Sequence, residues 1–147
     1  MKTAVLFLTA FLFLCLAEVV ASQLQYDNKC SKEDAIAAEE EAPLVKNWDE
    51  LYQSFKPYAP RCDSGSIAEG YSDSVGRLLV SKWEELNDLH NLILTDDDFR
   101  RFVFRHIDIT IPAATLKTIT EKAETRCPAG LEQFCGSIKA HITNIKD

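Results

Sequence analysis

A chain of 147 residues with 23 acidic side chains against 16 basic ones carries a formal net charge of −7. That balance repels phosphate backbones and anionic headgroups, which argues against nucleic acid or a membrane surface as partner. An apolar N-terminus raises the hydrophobic share to 46%, and the remaining residues are still apolar enough for one domain with a core of its own.

The chain opens as an export signal. Lys2 gives a positive start, Ala4 to Ala17 is one apolar run of 14 residues, and Val19-Val20-Ala21 places compact residues before a cut at Ser22. The run is short for a membrane span, which needs about 20 apolar residues. Residues 1–21 are therefore read as a signal peptide, with no stable membrane anchoring after cleavage and a secreted or periplasmic destination. Removing 21 of the 147 residues leaves 126, and because Lys2 and Glu18 leave together the charge stays at −7.

Cys15 falls inside that signal. Cys30, Cys62, Cys127 and Cys135 remain, and an even count in an exported chain points to two disulfides. Three connectivities are open. Cys127–Cys135 is preferred because the two flank a Pro-Ala-Gly turn, and Cys30–Cys62 follows by default. No Cys-x₂-Cys pair supports a zinc site.

Ser22 to Asn28 is polar and reads as loose. Ser31 with Asp34 resembles a capping box ahead of a short acidic helix that Pro43 ends, and residues 22–43 are taken as an acidic N-terminal arm. The helical domain spans 44–147. Its first helix starts at Asn47 and Glu50 and aligns Trp48, Leu51, Tyr52 and Phe55; Pro57 and Pro60 should close it. Ser66 and Glu69 start the next, with Ile67, Tyr71, Val75, Leu78 and Leu79 in one stripe, and the Ser81/Glu84 pair marks a stop or bend. Trp83, Leu86, Leu89 and Ile93 form a further stripe. Thr95 with Asp98 should cap a helix over 97–107 that carries Phe99, Phe102, Val103 and Ile107 on one side and Phe104 on another. Ile107, Ile109 and Ile111 read as a buried connector. Pro112 suits the start of a helix running to Cys127, and the last helix carries Leu131, Cys135, Ile138, Ile142 and Ile145. The fold class is all-α, a single small helical domain of about six helices stabilised by two disulfides.

No residue set carries recognisable catalysis. Asp63-Ser64-Gly65-Ser66 has the residue types of a nucleophile turn but reads as the lead into a helix N-terminus. His90 and His106 sit on the apolar faces of neighbouring helices; were they to meet near Asp108 they would offer a metal or proton-transfer site, whereas each alone makes a core-edge hydrogen bond. His141 lies nearer a polar face and reads as surface. Asp96-Asp97-Asp98 lacks the alternation of a calcium loop and reads as helix capping. Asp73 and Arg77 are spaced to pair along a helix, and Arg101 and Arg105 project away from the Phe stripe.

Three functions fit. The first is an exported non-enzymatic protein that binds another protein, of inhibitor, immunity or adaptor type. Its contact candidates are Phe104, an apolar residue outside the core stripe, and Glu39, Glu40 and Glu41 on the acidic arm. The second is a secreted carrier of a small apolar ligand, disfavoured by the lack of Met beyond Met1. The third is a metal-binding or enzymatic protein using His90 and His106. The first is preferred, with no cofactor.

Overall fold

The computed structural model describes residues 29–145. The expected signal peptide (1–21) and residues 22–28, expected to be loose, lie outside the described residues. Contacts divide the chain into 1–30 and 31–147, and the described helices belong to the second unit.

Seven α-helices occur among the described residues: α1 (Lys32–Glu41), α2 (Trp48–Cys62), α3 (Ser66–Ser81), α4 (Leu86–Thr95), α5 (Asp97–Arg105), α6 (Ala113–Thr125) and α7 (Glu132–Asn144). Short 3₁₀ turns at Ala42–Leu44 and Trp83–Glu85 complete the all-α domain.

Ser31 caps α1, its Oγ accepting the Asp34 N–H at 3.0 Å. The helix does not lie loose on the surface. Its small Ala38, with Ala42 just beyond it, is wholly buried, and it packs on α2 and α3. Polar clips fix the following turn to α3. Ser74 Oγ donates to Ala42 O at 2.7 Å, and Arg77 donates to Val45 O at 2.9 Å and Pro43 O at 3.0 Å. Arg77 thus serves the backbone first, and its expected partner Asp73 stands 3.9 Å away.

Asn47 caps α2, accepting the Glu50 N–H at 2.8 Å. The expected stop at Pro57 does not occur: α2 runs on to Cys62 with Pro57 and Pro60 inside it. A proline ring leaves the carbonyl four residues earlier unpaired. Here those carbonyls belong to Gln53 and Lys56, both exposed residues, while Phe55, Ala59 and Cys62 keep the inner face buried.

α3 starts from Gly65 rather than from a Ser66 cap, and Gly65 takes φ +57°, a conformation that favours glycine. Its expected stripe is buried throughout. The bend foreseen at Ser81 is the 3₁₀ turn, where Lys82 Nζ meets Glu85 at 2.8 Å. The cap of α5 is Asp96, not Thr95: the Asp96 carboxylate accepts the Phe99 N–H at 2.9 Å, whereas Thr95 Oγ1 turns back to Leu92 O at 2.9 Å. Tyr52, Phe55, Phe99, Phe102 and Tyr71 then form a continuous aromatic column linking α2, α3 and α5, with ring centroids 4.8–5.2 Å apart along it.

In the connector, Ile107 and Ile111 are buried, but Ile109 is 80% exposed, a departure from a wholly buried segment. Ile111 presses on α3 at Gly76, where an added Cβ would meet three Ile111 side-chain carbons at 3.1–3.2 Å. Replacing glycine within a helix normally gains roughly 0.5–1 kcal/mol. Overpacking at a buried isoleucine costs about 1–3 kcal/mol. Gly76→Ala is therefore expected to lower the urea midpoint, by a net loss of about 1 kcal/mol.

α6 and α7 pair as a hairpin closed by the Cys127–Cys135 disulfide (Cα–Cα 6.1 Å), as the spacing around the Pro-Ala-Gly turn predicts. Cys30 and Cys62 are likewise disulfide-bonded. No helix among the described residues is long and apolar enough to cross a membrane.

Candidate functional site

A groove of about 300 Å³ opens where α4, α5 and α7 meet. Helical spacing assembles it. His90 and Ile93–Leu94 lie one turn apart on α4, Arg100 and Phe104 are i, i+4 on α5, and Gln133 and Ser137 are i, i+4 on α7, with Phe134 between them. Phe99, Phe102 and Val103 turn the other face of α5 inward, which leaves Phe104 half-buried as a groove wall.

Phe104 stands edge-on to Phe134 (6.2 Å between centroids) and to His141 (5.5 Å), and His90 packs on Phe134 at 5.2 Å. His141 is therefore not plain surface. It is half-buried, and its Nε2–H donates to Ile107 O at 3.0 Å, which fixes the tautomer and backs the Phe104 ring. At the rim Leu94 is 69% exposed. The lining holds Arg100 and His90 but no carboxylate, on a chain with 23 acids; Arg100 reaches Asp97, outside the lining, at 3.2 Å.

The other contact candidates lie elsewhere. Glu39, Glu40 and Glu41 are exposed on α1, where Glu41 accepts the Tyr58 hydroxyl at 3.4 Å, and none of them lines this groove. Asp96, Asp97 and Asp98 are used locally, by the α5 cap and by Arg100 and Arg101.

His90 and His106 are not brought together. His106 is buried among Tyr71, Phe102, Ser72 and Asp63, and His90 opens on the groove. Among the described residues no three His, Cys, Asp or Glu side chains are grouped to hold a metal ion.

The surroundings of His106 form a polar cluster that sequence periodicity does not reveal. Nε2 faces Asp63 Oδ2 at 3.1 Å, and Nδ1 faces Ser72 Oγ at 3.0 Å. Ser72 gives its one proton to Asp108 Oδ2 at 2.8 Å, so its oxygen can only accept from Nδ1–H. Both ring nitrogens of His106 are thus engaged, Nε2 with Asp63 and Nδ1 with Ser72. Arg105 places a cation on Asp63 Oδ2. A Ser–His–Asp set has the residue types of a hydrolase, but Ser72 is 1% exposed on a helix and its proton is directed away from the histidine. The cluster therefore ties the end of α2, α3 and the end of α5 together. Ser64 and Ser66 stay exposed and outside it.

Burial pushes the Asp108 carboxyl up, but hydrogen bonds from Thr110 and Ser72 and the charge of His106 outweigh this and hold it below the ordinary aspartate value. A depressed folded-state value stabilises above the unfolded pKa of about 3.9 and loses that stabilisation as pH falls through the folded value. Asp108→Asn is expected to be less stable than the parent at pH 7, with the gap closing below about pH 4. Urea midpoints at both pH values check this; a gap independent of pH would contradict it.

Comparison of the chain with family models, curated proteins and solved structures finds no match.

Proposed function

We propose that the chain is exported under residues 1–21 and that its mature helical domain, in a secreted or periplasmic setting, binds another protein without catalysing a reaction. The observation that carries this reading is the α4/α5/α7 groove: an aromatic wall at Phe104 and Phe134, an exposed Leu94 at the rim, and a lining with no acid. A groove of about 300 Å³ suits one or two apolar side chains, the scale of an interface anchor. Arg100 and His90 favour an acidic group beside that anchor. The partner we propose is thus a protein segment with an apolar side chain flanked by an acid, as in inhibitor, immunity or adaptor contacts. Disulfides at all four cysteines beyond the signal segment support the extracytoplasmic setting.

The test is capture from the extracytoplasmic fraction of the native host, comparing the parent with Leu94→Asp. An exposed position keeps the fold cost within about 0.5 kcal/mol. The reading expects one protein retained by the parent and lost from the variant at unchanged melting temperature. Equal recovery on both would count against the groove.

A further inference from the structure

The acidic helix α1 carries on its outer face the chemistry that the groove lacks. We propose that the α4/α5/α7 groove of one molecule takes α1 of a second copy of this chain, which rests on the protein-binding reading of that groove and names its partner.

Among the described residues the large apolar side chains left exposed are Ile36, Leu44, Leu94 and Ile109. Leu94 is the groove rim. Ile36, 48% exposed, lies in the middle of α1, and Glu33, Glu39 and Glu40 stand three or four residues from it, on the same face and all exposed. The other acids of α1 are in use: Asp34 pairs with Arg61 at 3.3 Å, and Glu41 accepts the Tyr58 hydroxyl at 3.4 Å. Glu33, Glu39 and Glu40 enter none of the ion pairs among the described residues, and Lys32 is the one cation on the helix. Leu44 and Ile109 have no such flank, since Tyr58 holds Glu41 beside the first, and Ser72 and Thr110 hold Asp108 beside the second.

The groove is the complement. Arg100 and His90 stand beside aromatic walls, no carboxylate lines it, and about 300 Å³ admits an isoleucine from a helix laid along it. α1 does not reach the groove of its own molecule. None of its residues lines that groove, and it is packed on α2 and α3, with Asp34–Arg61 and the Ser74 and Arg77 clips on the following turn holding it there. The contact is therefore between copies and joins two different surfaces, so it closes as a ring or runs on as a chain. The net charge of −7 opposes association at long range. At physiological salt that repulsion is screened beyond about 8 Å, and the charges at the contact decide.

Sedimentation velocity of the protein as isolated, from about 10 µM to 1 mM, tests this, since a contact of one short helix is at the weak end of the scale. The parent is expected to gain mass with concentration. Ile36→Lys, at an exposed position of α1, and Leu94→Asp, at the groove rim, should each weaken association at least about tenfold at unchanged melting temperature. An equimolar mixture of the two variants should restore a one-to-one complex, because each supplies the surface that the other has lost. A parent that stays monomeric at about 1 mM, an Ile36→Lys variant that associates like the parent, or a mixture that stays monomeric would overturn the proposal. A monomeric parent that still captures a foreign protein through Leu94 would overturn it while leaving the groove reading in place.

Discussion

Replacing His106 by alanine is expected to lower stability by about 3–5 kcal/mol, the range for removing a buried aromatic ring, to which the orphaned hydrogen-bond partners add. The substitution removes the ring nitrogens that face Asp63 Oδ2 and Ser72 Oγ. Asp63 then keeps only Arg105, on a side chain 5% exposed whose Oδ1 already has no partner among the described residues. The ring also leaves a void against Phe102, whose centroid lies 4.4 Å away. Ser72→Ala should cost less, about 1–3 kcal/mol, because it leaves His106 Nδ1 without its partner while Asp108 keeps its bonds from Thr110. Urea unfolding of both variants measures the contrast. A loss below about 1 kcal/mol for His106→Ala would show that the cluster does not hold the helices.

Phe104→Ala is expected to weaken partner binding by at least about 30-fold, the effect of an interface residue worth roughly 2 kcal/mol. Phe104 is the wall against which an apolar anchor would rest, and its truncation leaves Phe134 and His141 without their edge contact. The fold should survive, because Phe104 is only half-buried and lies outside the aromatic column of α2, α3 and α5. Calorimetric titration of the captured partner, beside the melting temperature of the variant, separates the two effects. Unchanged affinity would move the interface off this groove.

What could be read from the sequence was local. Apolar residues at i, i+3 and i+4 named the buried stripes of α3, α4 and α5, and Ser31 and Asn47 announced the caps of α1 and α2. Pro57 and Pro60 misled because the carbonyls that they leave unpaired belong to Gln53 and Lys56, which sit at the surface, while the inner face of the helix stays buried. Thr95 and Asp96 are both cap formers, and the choice fell to the carboxylate that also accepts the Tyr52 hydroxyl at 3.1 Å. Phe104 stood out as an aromatic residue off the core stripe, but the groove needs α7, 30 residues further on at Phe134, and helical spacing does not say which helices meet. The His106 cluster escaped for the same reason: Asp63 lies 43 residues earlier in the chain. His141 was misplaced because its wheel position is ambiguous, and a backbone carbonyl at Ile107 decides its role.

The proposed role as a protein-binding domain stands or falls on what occupies the α4/α5/α7 groove in the native host. A photo-cross-linking residue placed at Leu94, 69% exposed at the rim, probes that occupant directly. The same residue at Lys117, whose side chain is 76% exposed on α6, is the control. A groove that binds protein yields an adduct from position 94 that is absent from position 117 and disappears when Phe104→Ala is added. No adduct, or the same adduct from both positions, would rule the groove out as the binding site.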